Sequence, residues 1–149
     1  MCSTMYLPFK QIIPSFLPFT TEAGAWRRIQ QLETENEQIR NLMLECAQAF
    51  RQVIAEPREI YLTVQQVRSL TVYIRWRRKG VRGRQGYLLL DSEAGKAFLL
   101  RQSEAVRQCY RRFDRWALDL NLAHSLRLNE IRRLKTYLQH IAGRQEMAE

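Results

Sequence analysis

The residues with the clearest chemistry form a basic run from Arg75 to Arg84, with the sequence Arg-Trp-Arg-Arg-Lys-Gly-Val-Arg-Gly-Arg. Arginine carries a planar guanidinium that binds phosphate through two parallel hydrogen bonds, whereas lysine acts more as a point charge. The 149-residue chain has 20 arginines, 4 lysines and 15 acidic residues, for a formal charge of +9. Residues 60–90 hold seven of these cations and no acid. A local, arginine-rich excess of this kind favours an anionic partner, with nucleic acid first.

The basic run is expected to lie on a β-hairpin, where alternate residues face opposite sides and the outward face is cationic. A two-stranded ribbon is narrow enough to enter the major groove of duplex DNA, and a Gly-Arg tip can follow phosphates. With about five to seven phosphate contacts, the log–log salt slope of binding would be roughly −4 to −6. Two alternatives are an acidic protein partner and a solvated edge strand whose charges deter aggregation. The predicted nucleic-acid-binding residues are Tyr73, Arg75, Arg77, Arg78, Lys79, Arg82 and Arg84.

A secondary basic stripe follows later in the chain. Arg107, Arg111 and Arg115 recur every four residues, so they share one face of a helix. Glu104 and Asp114 are close enough in sequence to pair with them. We interpret this stripe first as a solvated helix face, and second as a support for the hairpin in binding an anionic partner.

Signals for catalysis are weak. His124 and His140 lie 16 residues apart without an HExxH or CxxC pattern around them, so no metal site is predicted. Gly80 and Gly83 are not followed by the Lys and Ser or Thr that a phosphate-cradling loop requires. We therefore predict a non-enzymatic protein with no catalytic residues, no metal and no cofactor.

The first element that must support the hairpin is a helix over residues 21–55. A parallel coiled-coil homodimer through residues 26–53 is one interpretation, because Asn36 falls on an a position of its heptads, where a buried asparagine specifies register. The apolar face widens farther along the helix, which favours the alternative of packing within the same chain. The predicted oligomer seam comprises Ile29, Leu32, Asn36, Ile39 and Met43.

The remaining elements complete an α+β, mainly helical fold. Residues 59–90 alternate with a period of two and are rich in β-branched and aromatic residues, which predicts an antiparallel sheet of two or three strands. Residues 91–142 return to helical periodicity and predict one or two long helices, with a phase slip of the apolar stripe near 119–129. Together with the first helix they form a predicted single domain over residues 21–142. Residues 143–149, beginning at a glycine, are predicted to be a short tail.

The N-terminal segment, residues 1–20, carries two copies of Leu-Pro-Phe and is predicted to be an extended arm, because proline favours extended backbone before it. The arm either covers its own core or docks on a protein partner. Its prolines interrupt the apolar run that a signal peptide needs, and no membrane association is predicted. Three widely spaced cysteines do not form a disulfide framework, which favours a reducing, cytoplasmic setting.

Two segments carry a family resemblance: the aromatic-flanked basic strand Val72–Arg78, and a long helix containing Arg127-Leu128-Asn129-Glu130. In these features the chain resembles small uncharacterised proteins carried by integrative conjugative elements and related bacterial mobile genetic elements, over roughly residues 62–140. The resemblance implies a mobile-element accessory protein and supplies no catalytic residues. We therefore expect a DNA-binding accessory protein of a phage or mobile element that uses the arginine-rich hairpin on duplex DNA in preference to RNA. The alternative is a protein-interaction module or inhibitor that binds an acidic surface of a nucleoprotein complex.

Overall fold

The computed structural model describes residues 7–148, so the predictions for residues 1–6 and 149 lie outside the described part of the chain. The predicted α+β, mainly helical layout is confirmed. The described elements are α1 (Leu7–Ile12), a 3-10 helix (Ile13–Phe16), α2 (Glu22–Val53), β1 (Ile60–Gln66), β2 (Val72–Arg78), a 3-10 turn (Arg84–Gly86), β3 (Tyr87–Leu88), α3 (Glu93–Leu100) and α4 (Glu104–Ala148).

Two predictions about the chain ends are wrong. Residues 7–16 are helical rather than an extended arm. Pro8 and Pro14 each fall in the first turn of a helical segment, where a missing backbone N–H breaks no helical hydrogen bond. The C-terminal helix also continues through Gly143 to Ala148, so a tail does not begin at Gly143. A side chain at Gly143 would meet only open space, and an exposed glycine inside a helix costs only about 1 kcal/mol.

The break in the C-terminal helical region lies at residues 101–103, before the predicted phase slip. The backbone N–H of Val106 donates to Ser103 Oγ at 3.3 Å and caps the start of α4. From there α4 runs as one uninterrupted helix of 45 residues. The phase slip near residues 119–129 therefore marks the place where the apolar stripe of α4 passes from one buried cluster to the other.

The described residues form two compact units, one of residues 7–35 with 127–148 and one of residues 36–126. This division differs from the single domain predicted over residues 21–142, because the apolar stripes of both long helices are divided between two separate buried clusters.

In the unit of residues 7–35 and 127–148, the first part of α2 packs antiparallel to the last part of α4. Arg28 Nε and Nη2 donate to the two carboxylate oxygens of Glu130 at 2.6 and 3.1 Å, and Arg127 pairs with Glu35 at 3.1 Å. These pairs flank an apolar seam in which each helix covers the stripe of the other. The buried residues of the seam are Ala25, Ile29, Leu32, Ile131, Leu134 and Leu138.

The predicted oligomer seam is covered by the chain itself. Ile29 and Leu32 are buried in the first cluster, while Ile39 and Met43 are buried in the cluster of residues 36–126. The burial of these four side chains is what the alternative of packing within the same chain predicts. Asn36 is half-buried in the same helix. A homodimer through residues 26–53 stays a prediction.

An aromatic cluster centres the unit of residues 36–126. Phe50 of α2 lies edge-on to the rings of Trp76, Tyr110 and Phe113, with ring centroids 5.2, 5.3 and 5.5 Å away. All four side chains are buried. Edge-to-face aromatic pairs add about 0.5–1.5 kcal/mol each beyond the area they bury, so this cluster fixes the sheet on its helices.

Tyr110 makes the stability of this unit depend on pH. It is 1% exposed, and its hydroxyl donates to the carbonyl of Ile60 at 2.7 Å. Burial raises the pKa of Tyr110 to about 12, from 10.0 for an ordinary tyrosine. The folded state therefore keeps a proton that the unfolded chain has lost between these two values. The stabilising effect is complete below pH 10 and is lost by about pH 12, where the free energy of unfolding should have fallen by about 2–3 kcal/mol from this group.

Urea unfolding at several pH values between about 9 and 11.5 checks this expectation. Tyr110→Phe should be less stable than the wild type at pH 9 and should lose the part of the alkaline decrease in unfolding free energy that comes from this group. Tyr137→Phe, at a partly exposed site, should show the same decrease as the wild type. Equal alkaline slopes for the wild type and Tyr110→Phe would contradict the assignment.

Candidate nucleic-acid interface

The basic residues are positioned by β2, the central strand of a three-stranded antiparallel sheet ordered β1-β2-β3. The register pairs β1 with all of β2, from Ile60 opposite Arg78 to Gln66 opposite Val72. The predicted alternation of faces is confirmed. Val72, Ile74 and Trp76 are buried in the core, whereas Tyr73, Arg75 and Arg77 lie on the opposite, half-buried face.

Side chains of α4 satisfy part of the backbone of β2, because β3 pairs only with Trp76 and Arg77. Asn121 accepts from Ile74 N through Oδ1 and donates to Ile74 O through Nδ2, both at 2.9 Å. His124 Nε2 accepts from Val72 N at 3.3 Å, and Asp114 Oδ1 accepts from Trp76 Nε1 at 2.9 Å. Asn121 thus takes the place of a neighbouring strand.

Sequence reasoning did not identify this polar contact stripe on α4. Its signal was the phase slip near residues 119–129, where Asn121 and the buried His124 occupy the face that points to the sheet. Polar residues at helical spacing within an apolar stripe indicate a backbone group that needs a partner. Asp114, predicted to pair with the basic stripe, instead accepts from the buried Trp76 indole.

Replacing Asn121 by leucine should destabilise the sheet, because it leaves both backbone groups of Ile74 without this partner. Each such loss costs about 1–3 kcal/mol, so the two together should lower the free energy of unfolding by about 2–6 kcal/mol. Denaturant unfolding followed by circular dichroism measures it. Ser125→Ala, at an exposed position on the same helix, is the control and should change stability by about 0.5 kcal/mol or less. A similarly small effect of Asn121→Leu would show that water replaces the amide at no cost.

The outer face of the sheet carries a stack of tyrosine rings and guanidinium groups, which we call the Tyr–Arg stack: Tyr73, Arg75, Arg77 and Tyr87. The guanidinium carbon of Arg75 lies 4.4 Å from the ring centroid of Tyr73 and 5.0 Å from that of Tyr87. That of Arg77 lies 4.7 Å from the Tyr87 ring. Tyr87 was not among the predicted binding residues. Tyr87 lies opposite Arg77 because β3 pairs with β2. The irregular loop between these strands prevents the register of that pairing from being predicted from the sequence.

The loop between β2 and β3 is held by two of the predicted binding residues. Arg77 donates through Nη2 to Val81 O at 2.9 Å and through Nη1 to Gly83 O at 3.3 Å. Arg78 donates to the carbonyl of Gln85 at 3.3 Å. The Arg77 side chain therefore stabilises the conformation of this loop through hydrogen bonds to its backbone.

The tip of this loop carries three further residues of the predicted binding set, and their side chains are exposed. Gly80 and Gly83 have φ angles of +80° and +70°, which favour glycine, and they turn the loop sharply. Lys79, Arg82 and Arg84 are exposed around them and define what we call the tip cations. Across residues 7–148, none of the seven cations of residues 60–90 forms an ion pair. The positive charge of the hairpin is therefore not neutralised within the described part of the chain.

The secondary basic stripe differs in this respect. Arg107 pairs with Glu104 at 2.6 Å and Arg115 pairs with Asp119 at 3.2 Å, both along the same helix. The Arg107 guanidinium holds the pKa of the exposed Glu104 carboxyl below its usual value. Two of the three arginines in this stripe thus have an acidic neighbour, which favours the interpretation of a solvated face.

Comparisons with protein-family models, curated proteins and solved structures give no match to this chain. The resemblance to mobile-element proteins therefore stays a hypothesis. Within residues 7–148, no three His, Cys, Asp or Glu side chains come together in a way that would hold a metal ion. No helix in the same range combines the length and the apolar character needed to cross a bilayer.

Proposed function

We propose that this protein binds nucleic acid through the tip of its basic hairpin, as a non-enzymatic accessory protein of a phage or mobile element. The observation that carries the proposal is the seven unneutralised cations of residues 60–90, three of them exposed on one glycine-turned loop. A solvated surface usually mixes both signs of charge, as the α4 stripe does. A cationic cluster without acids is suited to a polyanion, because each phosphate contact releases counterions.

Duplex DNA is the first ligand that we propose, with the tip as the part that contacts it. The sheet face is less suited to entering a groove than a free ribbon, because β2 is flanked by β1 on one side and by β3 and α4 on the other. A groove about 12 Å wide admits two strands but not this assembly. Lys79, Arg82 and Arg84 follow the last paired residue of β2 and are exposed, which supports phosphate contacts by the tip.

Fluorescence anisotropy with a labelled duplex of about two helical turns, over a range of salt concentrations, tests the proposal. Four or five phosphate contacts predict a log–log slope of roughly −4. Absence of binding at low salt, or a slope near zero, would refute it.

A second candidate is a protein-interaction module, favoured by the exposed apolar side chains of residues 9–16. Phe9, Ile12, Ile13 and Phe16 follow the spacing of helix-in-groove anchors, and Phe16 is 81% exposed. If this surface binds a protein, Ile13→Ser with Phe16→Ser should abolish capture of that protein from nuclease-treated lysate, while neutralisation of the tip cations should leave capture unchanged. Equal capture by both variants would exclude this surface.

A further inference from the structure

The Tyr–Arg stack is a surface that phosphate binding at the tip does not use. It consists of planar groups on the outer face of the sheet, in which each guanidinium carbon lies 4.4–5.0 Å from the centroid of a neighbouring tyrosine ring. No acid lies anywhere in residues 60–90, so no carboxylate of these strands competes for the guanidinium groups. Because Arg77 is anchored to two loop carbonyls, it is held in place beside Tyr87 before any ligand arrives.

Bases stack on aromatic rings and on guanidinium planes when they are unpaired, whereas bases inside a duplex are already stacked on each other. The tyrosine rings and guanidinium groups on this sheet face can contact both parts of a single strand: the rings its bases, and the guanidinium groups its bases and phosphates. The same face fits poorly into a duplex groove, because β2 is flanked by β1 on one side and by β3 and α4 on the other.

We propose that the Tyr–Arg stack binds unpaired bases, so that the preferred ligand is a nucleic acid with a single-stranded segment next to the phosphates that the tip holds. This inference rests on the proposed function and specifies its ligand. Tyr73 and Tyr87 supply the stacking rings, and Arg75 supplies a guanidinium that lies between them.

Four labelled probes test the inference: a blunt duplex, the same duplex with a ten-nucleotide DNA overhang, the same with an RNA overhang, and the same with an abasic overhang. The abasic overhang keeps the phosphates and removes the bases. Since stacking contributes about five- to 150-fold per base, the DNA or RNA overhang should tighten binding about tenfold or more over the blunt duplex. The abasic overhang should give little of this gain.

Variants assign the gain to the stack. Tyr73→Leu with Tyr87→Leu should abolish the gain from the overhang and leave blunt-duplex affinity within about threefold, whereas the matched pair Tyr73→Phe with Tyr87→Phe keeps the rings and should retain the gain. Tyr137→Leu, in the unit of residues 7–35 and 127–148, is the control for loss of a tyrosine. The inference is overturned if the abasic overhang binds as tightly as the normal one, or if the leucine pair weakens the blunt and overhang probes equally. Binding of none of the probes would refute the proposed function as well, whereas binding of the blunt duplex without any gain from an overhang would refute only the inference.

Discussion

Replacing the tip cations Lys79, Arg82 and Arg84 together by glutamine should weaken nucleic-acid binding about 10- to 100-fold at low salt. Each is exposed and has no ion pair among the described residues, so each is available to a phosphate. The loss of three phosphate contacts should also make the log–log salt slope shallower by about 2.7, because each contact contributes about 0.9. Anisotropy titrations at several salt concentrations measure both quantities.

The matched control removes the same number of charges from another surface. Arg107→Gln, Arg111→Gln and Arg115→Gln lower the net charge equally, but two of these arginines already pair with acids on α4. We expect this control to weaken binding less than about threefold, since general attraction is screened within a Debye length of about 10 Å at 0.1 M salt. If both triple variants lose affinity equally, binding depends on net charge and the tip is not a site.

Phe50→Ala should be among the most destabilising single substitutions in the unit of residues 36–126, with a decrease of about 3–5 kcal/mol in the free energy of unfolding. The ring is fully buried and lies against three other rings that come from β2 and α4. Its removal leaves a cavity at the point where the sheet meets two helices. A rigid core closes such a cavity only in part, which is why the cost exceeds simple transfer to water.

Guanidinium chloride unfolding, followed by circular dichroism at 222 nm, measures this loss. Phe50→Leu should cost clearly less, because most of the volume remains. Leu100→Ala removes an apolar side chain that is 76% exposed and should change stability by about 0.5 kcal/mol or less. A loss below about 1 kcal/mol for Phe50→Ala would show that the aromatic cluster does not hold this unit together.

The two substitutions separate the binding surface from its support. The tip cations make no ion pair among the described residues, so their loss should leave the free energy of unfolding nearly unchanged. Phe50 lies on the opposite side of the sheet from the Tyr–Arg stack, so its loss should act on binding only through the folded fraction. A variant of the tip that unfolds the protein would contradict this division.

The local structure of the basic segment follows from the sequence. The period of two in residues 60–66 and 72–78 predicts which side chains of β2 are buried, because a strand has only two faces. The helix of residues 22–53 follows from its spacing of apolar residues, and Thr21 caps it by accepting a 3.0 Å hydrogen bond from Gly24 N. The absence of acids from residues 60–90 is likewise a property of the sequence alone.

Long-range pairing decided the rest. An apolar stripe on a helix indicates that this face is buried, but it does not indicate which element buries it. From the sequence, Ile29 and Leu32 could pack against a second copy of the chain or against α4. Asn121 forms hydrogen bonds with the backbone of Ile74, which lies 47 residues earlier in the chain. No local sequence pattern predicts a contact over that separation. The same holds for Tyr87, which meets Arg75 and Arg77 only because β3 returns beside β2. Local periodicity determined where the charge lies and which way it faces, while the tertiary structure decided that these arginines stand among tyrosines, because only strand pairing brings those residues together.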